Sequence, residues 1–234
     1  MSAPLRIAFA GANPERGWAK DAHFPALKAL PRLAVHAVSA RTQEVADAAA
    51  AAFGAAKAFG DSLAMARDPD VDVVAVTVKV PEHRAIVLAA LEAGKHVYCE
   101  WPLARDLAEA EELANAASKA GSHVCIGLQG ADAIAVRHAA RLVRAGAIGR
   151  PLALRVVSST QGWGKVAPPF YAYLQDKRNG ATLESIAGGH TLSMIEAVVG
   201  AYAEVSARNS ILVPQVQIAG TEERVARTCA DHML

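Results

Sequence analysis

The chain has 234 residues, of which 53% are hydrophobic, and its 24 basic and 23 acidic side chains leave a formal net charge of +1. That length allows one large domain or two small ones, and so even a charge balance offers no broad basic face for nucleic acid or an anionic membrane. No apolar run approaches a bilayer span, and Leu5–Ala10 is too short and lacks a cleavage pattern to be a secretory leader, so the expected location is the cytoplasm.

Apolar runs and amphipathic stretches alternate through the first half. Leu5–Ala10 reads as a strand ending in Gly11 and a turn. Residues 19–30 read as a helix start, an irregular His23-Phe24-Pro25 and a short second helix. Residues 34–39 form the next strand, and residues 42–53 a helix capped by Thr42 and closed by Gly54. After the turn Asp68-Pro69-Asp70 comes the strongest strand signal, Val71 to Val78. Pro81 opens a helix to Glu92 that Gly94 ends, and strands at 96–99 and 123–128 flank a helix at 107–119. Near-continuous apolar strands alternating with helices predict a doubly wound parallel sheet of Rossmann type.

The pattern changes near Gly149-Arg150-Pro151. Residues 152–158 and 205–213 read as strands, with a helix over 188–199 between them and a bridging helix at 133–145 before them. The expected division is a dinucleotide-binding domain over 1–130 and an incomplete α+β domain over 131–234 with an open, mostly antiparallel sheet. Cys99, Cys125 and Cys229 have no metal-ligand spacing, and two of them fall in strands expected to be buried, where cysteine is a small apolar filler. No metal site is expected.

A dinucleotide needs a glycine where the first strand turns and backbone N–H groups at a helix start facing its pyrophosphate. Gly11 and Gly17 suit that role, with Asn13 in place of a second fingerprint glycine and Trp18 beginning the helix. Ala40 stands where an acid would bind the ribose of NAD. Ser39 and Arg41 there could instead hold a 2′-phosphate, which favours NADP over NAD, although Arg41 also reads as a solvated strand-end residue. Gln129, after the 123–128 strand, is a candidate contact to substrate or nicotinamide.

Several segments in order resemble the glucose–fructose oxidoreductase / inositol dehydrogenase / rhizopine-catabolism family. They are the glycine turn with His23-Phe24-Pro25-Ala26-Leu27, Asp70-Val71-Asp72-Val73-Val74, Val80-Pro81-Glu82-His83, Gly94-Lys95-His96-Val97 and Ile148-Gly149-Arg150-Pro151. A weaker match runs from Asn179 through His190. The resemblance implies NAD(P)-dependent hydride transfer at a sugar-like or polyol hydroxyl, with the second sheet often forming a homo-oligomer contact. It also implies that the second domain is truncated.

Two departures bear on chemistry. Glu100-Trp101-Pro102 resembles the family's Glu-Lys-Pro turn with tryptophan for the catalytic lysine, and Ile186 stands for the aspartate that precedes His190. The turn and Gly188-Gly189-His190-Thr191 resemble a branch that includes the fungal galactose-pathway repressor, so a non-catalytic dinucleotide-binding regulator is the alternative function. Catalysis would fall to Lys79 at a strand end, replacing the lysine, and to His190 for proton transfer. Lys79, partly buried, would serve equally as a partner of Glu100 or of a cofactor phosphate. His83 is expected at a helix start near the cofactor, bonded to backbone or ribose. In the aromatic loop, Phe170 is expected to pack and Trp163 and Tyr173 to border the site.

Overall fold

The computed structural model describes residues 3–234. The chain divides into two compact units, one running to Gly127 and the other from Leu128 to Leu234.

The first unit contains β1 (Leu5–Ala10), a π-helical turn (Ala19–His23) running into α1 (Phe24–Leu27), β2 (Leu33–Ser39), α2 (Gln43–Phe53), β3 (Lys57–Phe59) and α3 (Ser62–Ala66). It continues with β4 (Val73–Val76), α4 (His83–Glu92), β5 (His96–Glu100), α5 (Leu107–Ala120) and β6 (Val124–Gly127). The six strands lie in the order β3-β2-β1-β4-β5-β6, and every pairing is parallel. This is the doubly wound sheet that the apolar runs predict.

Period-two alternation sends successive β1 side chains to opposite faces. Ala8 and Ala10 join Val74, Val76, Ile86, Val87, Val97 and Leu113 in one core. Ile7 and Phe9 join Phe24, Val38 and Ala49 in the other. Small residues on one side of β1 let the helices of that face approach closely.

Local signals end the elements as expected. The Thr42 hydroxyl accepts the Val45 N–H at 3.4 Å to start α2, and Gly54 closes it in the left-handed region. The Val71–Val78 strand shortens to Val73–Val76, because the Val71 N–H is already taken by the Asp68 carbonyl in the preceding turn. β3 and α3 escape the periodicity reading, being only three and five residues long. An Asp61 cap on the Leu63 N–H starts α3.

The second unit holds α6 (Ile134–Arg144), β7 (Val166–Ala167), a π-helical turn (Leu183–Gly188) leading into α7 (Gly189–Val199), β8 (Asn209–Ser210), β9 (Gln215–Ile218), β10 (Arg224–Ala226) and β11 (His232–Met233). Strands β10-β9-β7 form a small mixed sheet, antiparallel between β9 and β10 and parallel between β7 and β9. β8 and β11 pair separately and antiparallel. Two strand expectations fail here. Residues 152–158 carry no strand, and Leu152 and Val157 are 91% and 81% exposed. The 205–213 stretch yields only Asn209–Ser210. An alternating pattern becomes a strand only when another strand accepts its ladder bonds, and none pairs with 152–158 among the described residues.

The organising group of this unit is Arg227. Its guanidinium donates to the Trp163 carbonyl (2.8 Å), the Gly164 carbonyl (2.7 Å), Gln175 Oε1 (2.8 Å) and Asp231 Oδ2 (2.6 Å). Both members of the Arg227–Asp231 pair are almost wholly buried. Asp231 also accepts the Leu212 and Val213 N–H groups at 2.8 Å each. Burial works against its charge, but those two donors and Arg227 hold its carboxyl below the usual range.

Candidate functional site: the carboxyl edge of the parallel sheet

All six strands being parallel, their carboxyl ends share one edge, where open α/β sheets bind ligands. At the end of β1, Gly11 takes φ +90°. A Cβ there would lie 2.7 Å from Val78 Cγ1 and 3.1 Å from the Thr77 carbonyl oxygen, so only glycine allows β1 to pass this close to the end of β4. The Gly11 and Ala12 N–H groups both donate to the Ser39 carbonyl, at 3.0 and 2.9 Å. Thr77 Oγ1 donates to the Ala10 carbonyl at 2.7 Å. The turn is thereby tied to β2 and β4. Asn13 Oδ1 accepts the Glu15 and Arg16 N–H groups, so Asn13 braces the turn from within. Beyond it Gly17 has no atom near its Cβ position, and Trp18 is 53% exposed. A tight glycine turn with an open outer side fits the pyrophosphate half of a dinucleotide.

At the end of β2 the Ser39 side chain is fully buried, and its hydroxyl lies 2.8 Å from that of Ser62. Of the pair named from sequence, only Arg41 reaches solvent. At the end of β4, Lys79 is exposed, in place of the partial burial expected of it. Its backbone caps a 3₁₀ turn, Val80–Glu82, that leads into α4.

His83 is buried, and its ring bridges two strand ends. Nε2 is 3.0 Å from the Val78 carbonyl, while Nδ1 is 3.3 Å from both Cys99 Sγ and the Leu103 carbonyl. Burial pushes the His83 pKa down and that of the Cys99 thiol up. A neutral imidazole has one N–H, and the shorter contact assigns it to Nε2, leaving Nδ1 to accept the Cys99 S–H. His83 thus bonds backbone, one of the two options read from sequence.

The sequence reading named Glu100 but gave no role to His23. The structure brings them together: His23 Nε2 lies 2.5 Å from Glu100 Oε1, with both side chains largely buried. His23 ends the π-helical turn, and the Pro25 that follows begins α1 without an N–H to offer. The imidazole sits between Phe9, at 5.7 Å between ring centroids, and Tyr98, at 5.2 Å edge-on. On β6, a Cβ on Gly127 would lie 2.6 Å from the Tyr98 hydroxyl and 3.1 Å from Glu100 Oε2. The irregular His-Phe-Pro sequence was the available signal, since π-type insertions mark functional sites. Trp101, next in the chain, is half-buried.

In the second unit, Gln129 opens a 3₁₀ turn (Gln129–Asp132), two residues past the end of β6. His190 lies in the first turn of α7 and is half-buried. The aromatic loop departs from expectation. Trp163 is buried at 7% exposure, whereas Phe170, expected to pack, is 48% exposed and rests edge-on against Tyr171. Tyr173 is half-buried, and its carbonyl accepts Asn179 Nδ2. Cys125 is exposed, contrary to the filler role, because its side chain falls on the solvent side of β6. His36, Asp68 and Asp70 lie within metal-ligand reach of one another. The Lys57 ammonium already bonds both carboxylates, at 2.7–3.0 Å. No helix among the described residues is long and apolar enough to cross a membrane.

Comparison with known proteins agrees with this geometry. The model of the oxidoreductase family with NAD-binding Rossmann fold matches residues 5–128, and that of the Gal80p C-terminal domain matches residues 135–234. Dehydrogenase aclE of Aspergillus oryzae is 37% identical over 193 residues, 80% of this chain and 52% of that protein. The galactose/lactose metabolism regulatory protein GAL80 of Kluyveromyces lactis is 30% identical over all of this chain and 55% of its own length. Levoglucosan dehydrogenase of Pseudarthrobacter phenanthrenivorans is 31% identical over 79% of this chain and 48% of its own. Among solved structures, a super-repressor mutant of Gal80p from Saccharomyces cerevisiae superimposes with a TM-score of 0.90 at 26% identity, covering 100% of this chain and 64% of that one. The chain spans about half the length of the curated relatives it matches. With a glycine turn and an acidic turn at the edge of a six-stranded parallel sheet, and family matches over both units, the chain belongs to the glucose–fructose oxidoreductase / inositol dehydrogenase / rhizopine-catabolism family, with a Gal80-like C-terminal region.

Proposed function

We propose that this chain works as an NAD(P)-dependent oxidoreductase on a sugar-like or polyol hydroxyl or its carbonyl. The observation that carries the reading is the shared sheet edge of the Gly11 turn and Glu100, in a member of an NAD-binding oxidoreductase family. The backbone from Gly11 to Trp18 receives the pyrophosphate. Arg41 receives a ribose 2′-phosphate, which gives NADP(H) a modest preference, with the buried Ser39 supporting the turn through its carbonyl. Glu100 and Trp101 border the nicotinamide and the substrate, the Trp101 face suits a sugar ring, and Gln129 of the second unit is by itself a candidate contact to substrate or nicotinamide. When bound, the dinucleotide supplies the hydride donor or acceptor, at C4 of its nicotinamide. Of the chain's own candidate groups, a ring nitrogen of His190 in the second unit would accept the hydroxyl proton during oxidation, and the Lys79 ammonium in the first unit would stabilise a developing oxyanion. A homo-oligomer through the sheet of the second unit belongs to the same reading.

A second reading, a dinucleotide-binding regulator, is favoured by specific observations. Trp101 and Ile186 replace the family's lysine and aspartate, and the likeness to Gal80 relatives runs the whole length of this chain. The discriminating experiment titrates the protein with NADPH and NADH by fluorescence, then adds a panel of sugars and polyols while following reduced-cofactor absorbance. Turnover lost in Lys79→Ala and His190→Ala supports the enzyme. Binding without turnover of any panel member supports the regulator, and absence of binding refutes both.

A further inference from the structure

The side chains around Glu100 come from four separate places in the first unit. Glu100 ends β5, His23 ends the π-helical turn after β1, Phe9 and Tyr98 clamp the His23 ring, and Gly127 of β6 leaves the volume that Tyr98 and Glu100 fill. A partly buried carboxylate loses hydration, and a fixed donor offsets that loss and selects one rotamer. The His23 ring is itself held by aromatic contacts, so it is a stiff donor. Nε2 faces Glu100 Oε1 at 2.5 Å, and an ionised carboxylate still has lone pairs for further donors.

We infer that His23 is a positioning residue, one that holds the Glu100 carboxylate ready to accept the hydrogen-bond donors of the nicotinamide-ribose half of a dinucleotide. The inference rests on the dinucleotide-binding reading above and adds to it the residue that orients the acceptor. His23 itself touches neither cofactor nor substrate. The π-helical turn ends at His23, whose ring then meets Glu100.

The test uses the 234-residue chain and its affinity for NADPH and NADH, read by fluorescence titration. His23→Phe keeps a ring between Phe9 and Tyr98 but removes the donor, and is expected to weaken the tighter-binding dinucleotide about tenfold and, by leaving the largely buried Glu100 without that donor, to lower the melting temperature as well. His23→Gln places a side-chain N–H near the position of Nε2 and is expected to recover most of that loss, which a purely packing role would not produce. In labelled wild-type protein the His23 Nε2–H proton resonance is expected far downfield and shifted back in Glu100→Gln, a readout that does not depend on the fold of the His23 variants. Undiminished binding by His23→Phe, no recovery in His23→Gln, or a His23 resonance indifferent to Glu100→Gln would overturn the inference while leaving dinucleotide binding intact. Failure of the wild-type chain to bind either dinucleotide would overturn the inference and the reading beneath it together.

Discussion

Up to Gly127 the interior is apolar: Val74, Val76, Val97, Ile86 and Leu113 fill one side of the sheet, and Ile7, Phe9 and Val38 the other. From Leu128 onward a buried ion pair joins apolar residues such as Leu174, Val216 and Ile218 in the interior. Arg227 gathers two loop carbonyls, Gln175 and Asp231, and Gln175 Nε2 donates in turn to the Gly162 and Tyr171 carbonyls. The first unit is held by many interchangeable apolar contacts. The second adds to its smaller apolar interior a few directional bonds between residues up to 64 positions apart. A core of the first kind tolerates loss at one site, whereas a hub of the second kind does not.

The largest effect that tests this contrast is Arg227→Met. It leaves Asp231 charged and buried and several carbonyls without their donor, and should cost about 3–5 kcal/mol. Amide exchange should show protection lost from Leu128 onward and kept in β1, β4 and β5. Loss of protection throughout the chain would break the comparison.

Leu113→Ala, in the apolar core of the first unit, should cost about 3 kcal/mol by deleting buried methyl groups. The lost protection should stay within the first unit, and urea titration should show a lower midpoint with an unchanged slope.

A smaller effect depends on pH. Burial lowers the His83 pKa below its ordinary value of about 6.5. As pH falls below that unfolded value, the unfolded chain takes up a proton that the folded unit refuses. Stability therefore falls from about pH 6.5 downward until the folded-state pKa is reached. Melting curves of wild type and His83→Gln across pH 5–8 should show a shallower acid slope in the variant.

The smallest expected effect is at Val157→Thr. This residue is 81% exposed and outside any strand, so the melting temperature of this chain should stay within error, equivalent to about 0.5 kcal/mol or less. A clear loss would mean that the 152–158 stretch is packed in solution.

Periodicity and punctuation were enough for most of the first unit. The apolar run in β1, the Thr42 cap and the Gly54 stop act within a few residues, and parallel strands buried on both faces leave an unmistakable run of Val, Ile and Ala. Local turn chemistry singled out Gly11 and Gly17 as candidates, and the family resemblance singled out the Glu100-Trp101-Pro102 turn. Two short elements, β3 and α3, carried too few residues to show a period.

Contacts that span tens of residues were settled only by the tertiary structure. His23 and Glu100 are 77 positions apart, and nothing near either one announces the other. The exposure of Lys79, the buried Ser39 hydroxyl and the exchange of places between Trp163 and Phe170 depend on which neighbours the fold supplies. Residues 152–158 have the alternation of a strand but find no pairing strand among the described residues, and strand formation belongs to a ladder and not to one segment. The sequence by itself determined the fold class, and with it the shared carboxyl edge of the parallel strands, since those follow from local hydrophobicity and turn chemistry. Which side chains meet at that edge, and that a buried arginine organises the second unit, depended on packing, which brings together groups that the chain keeps far apart.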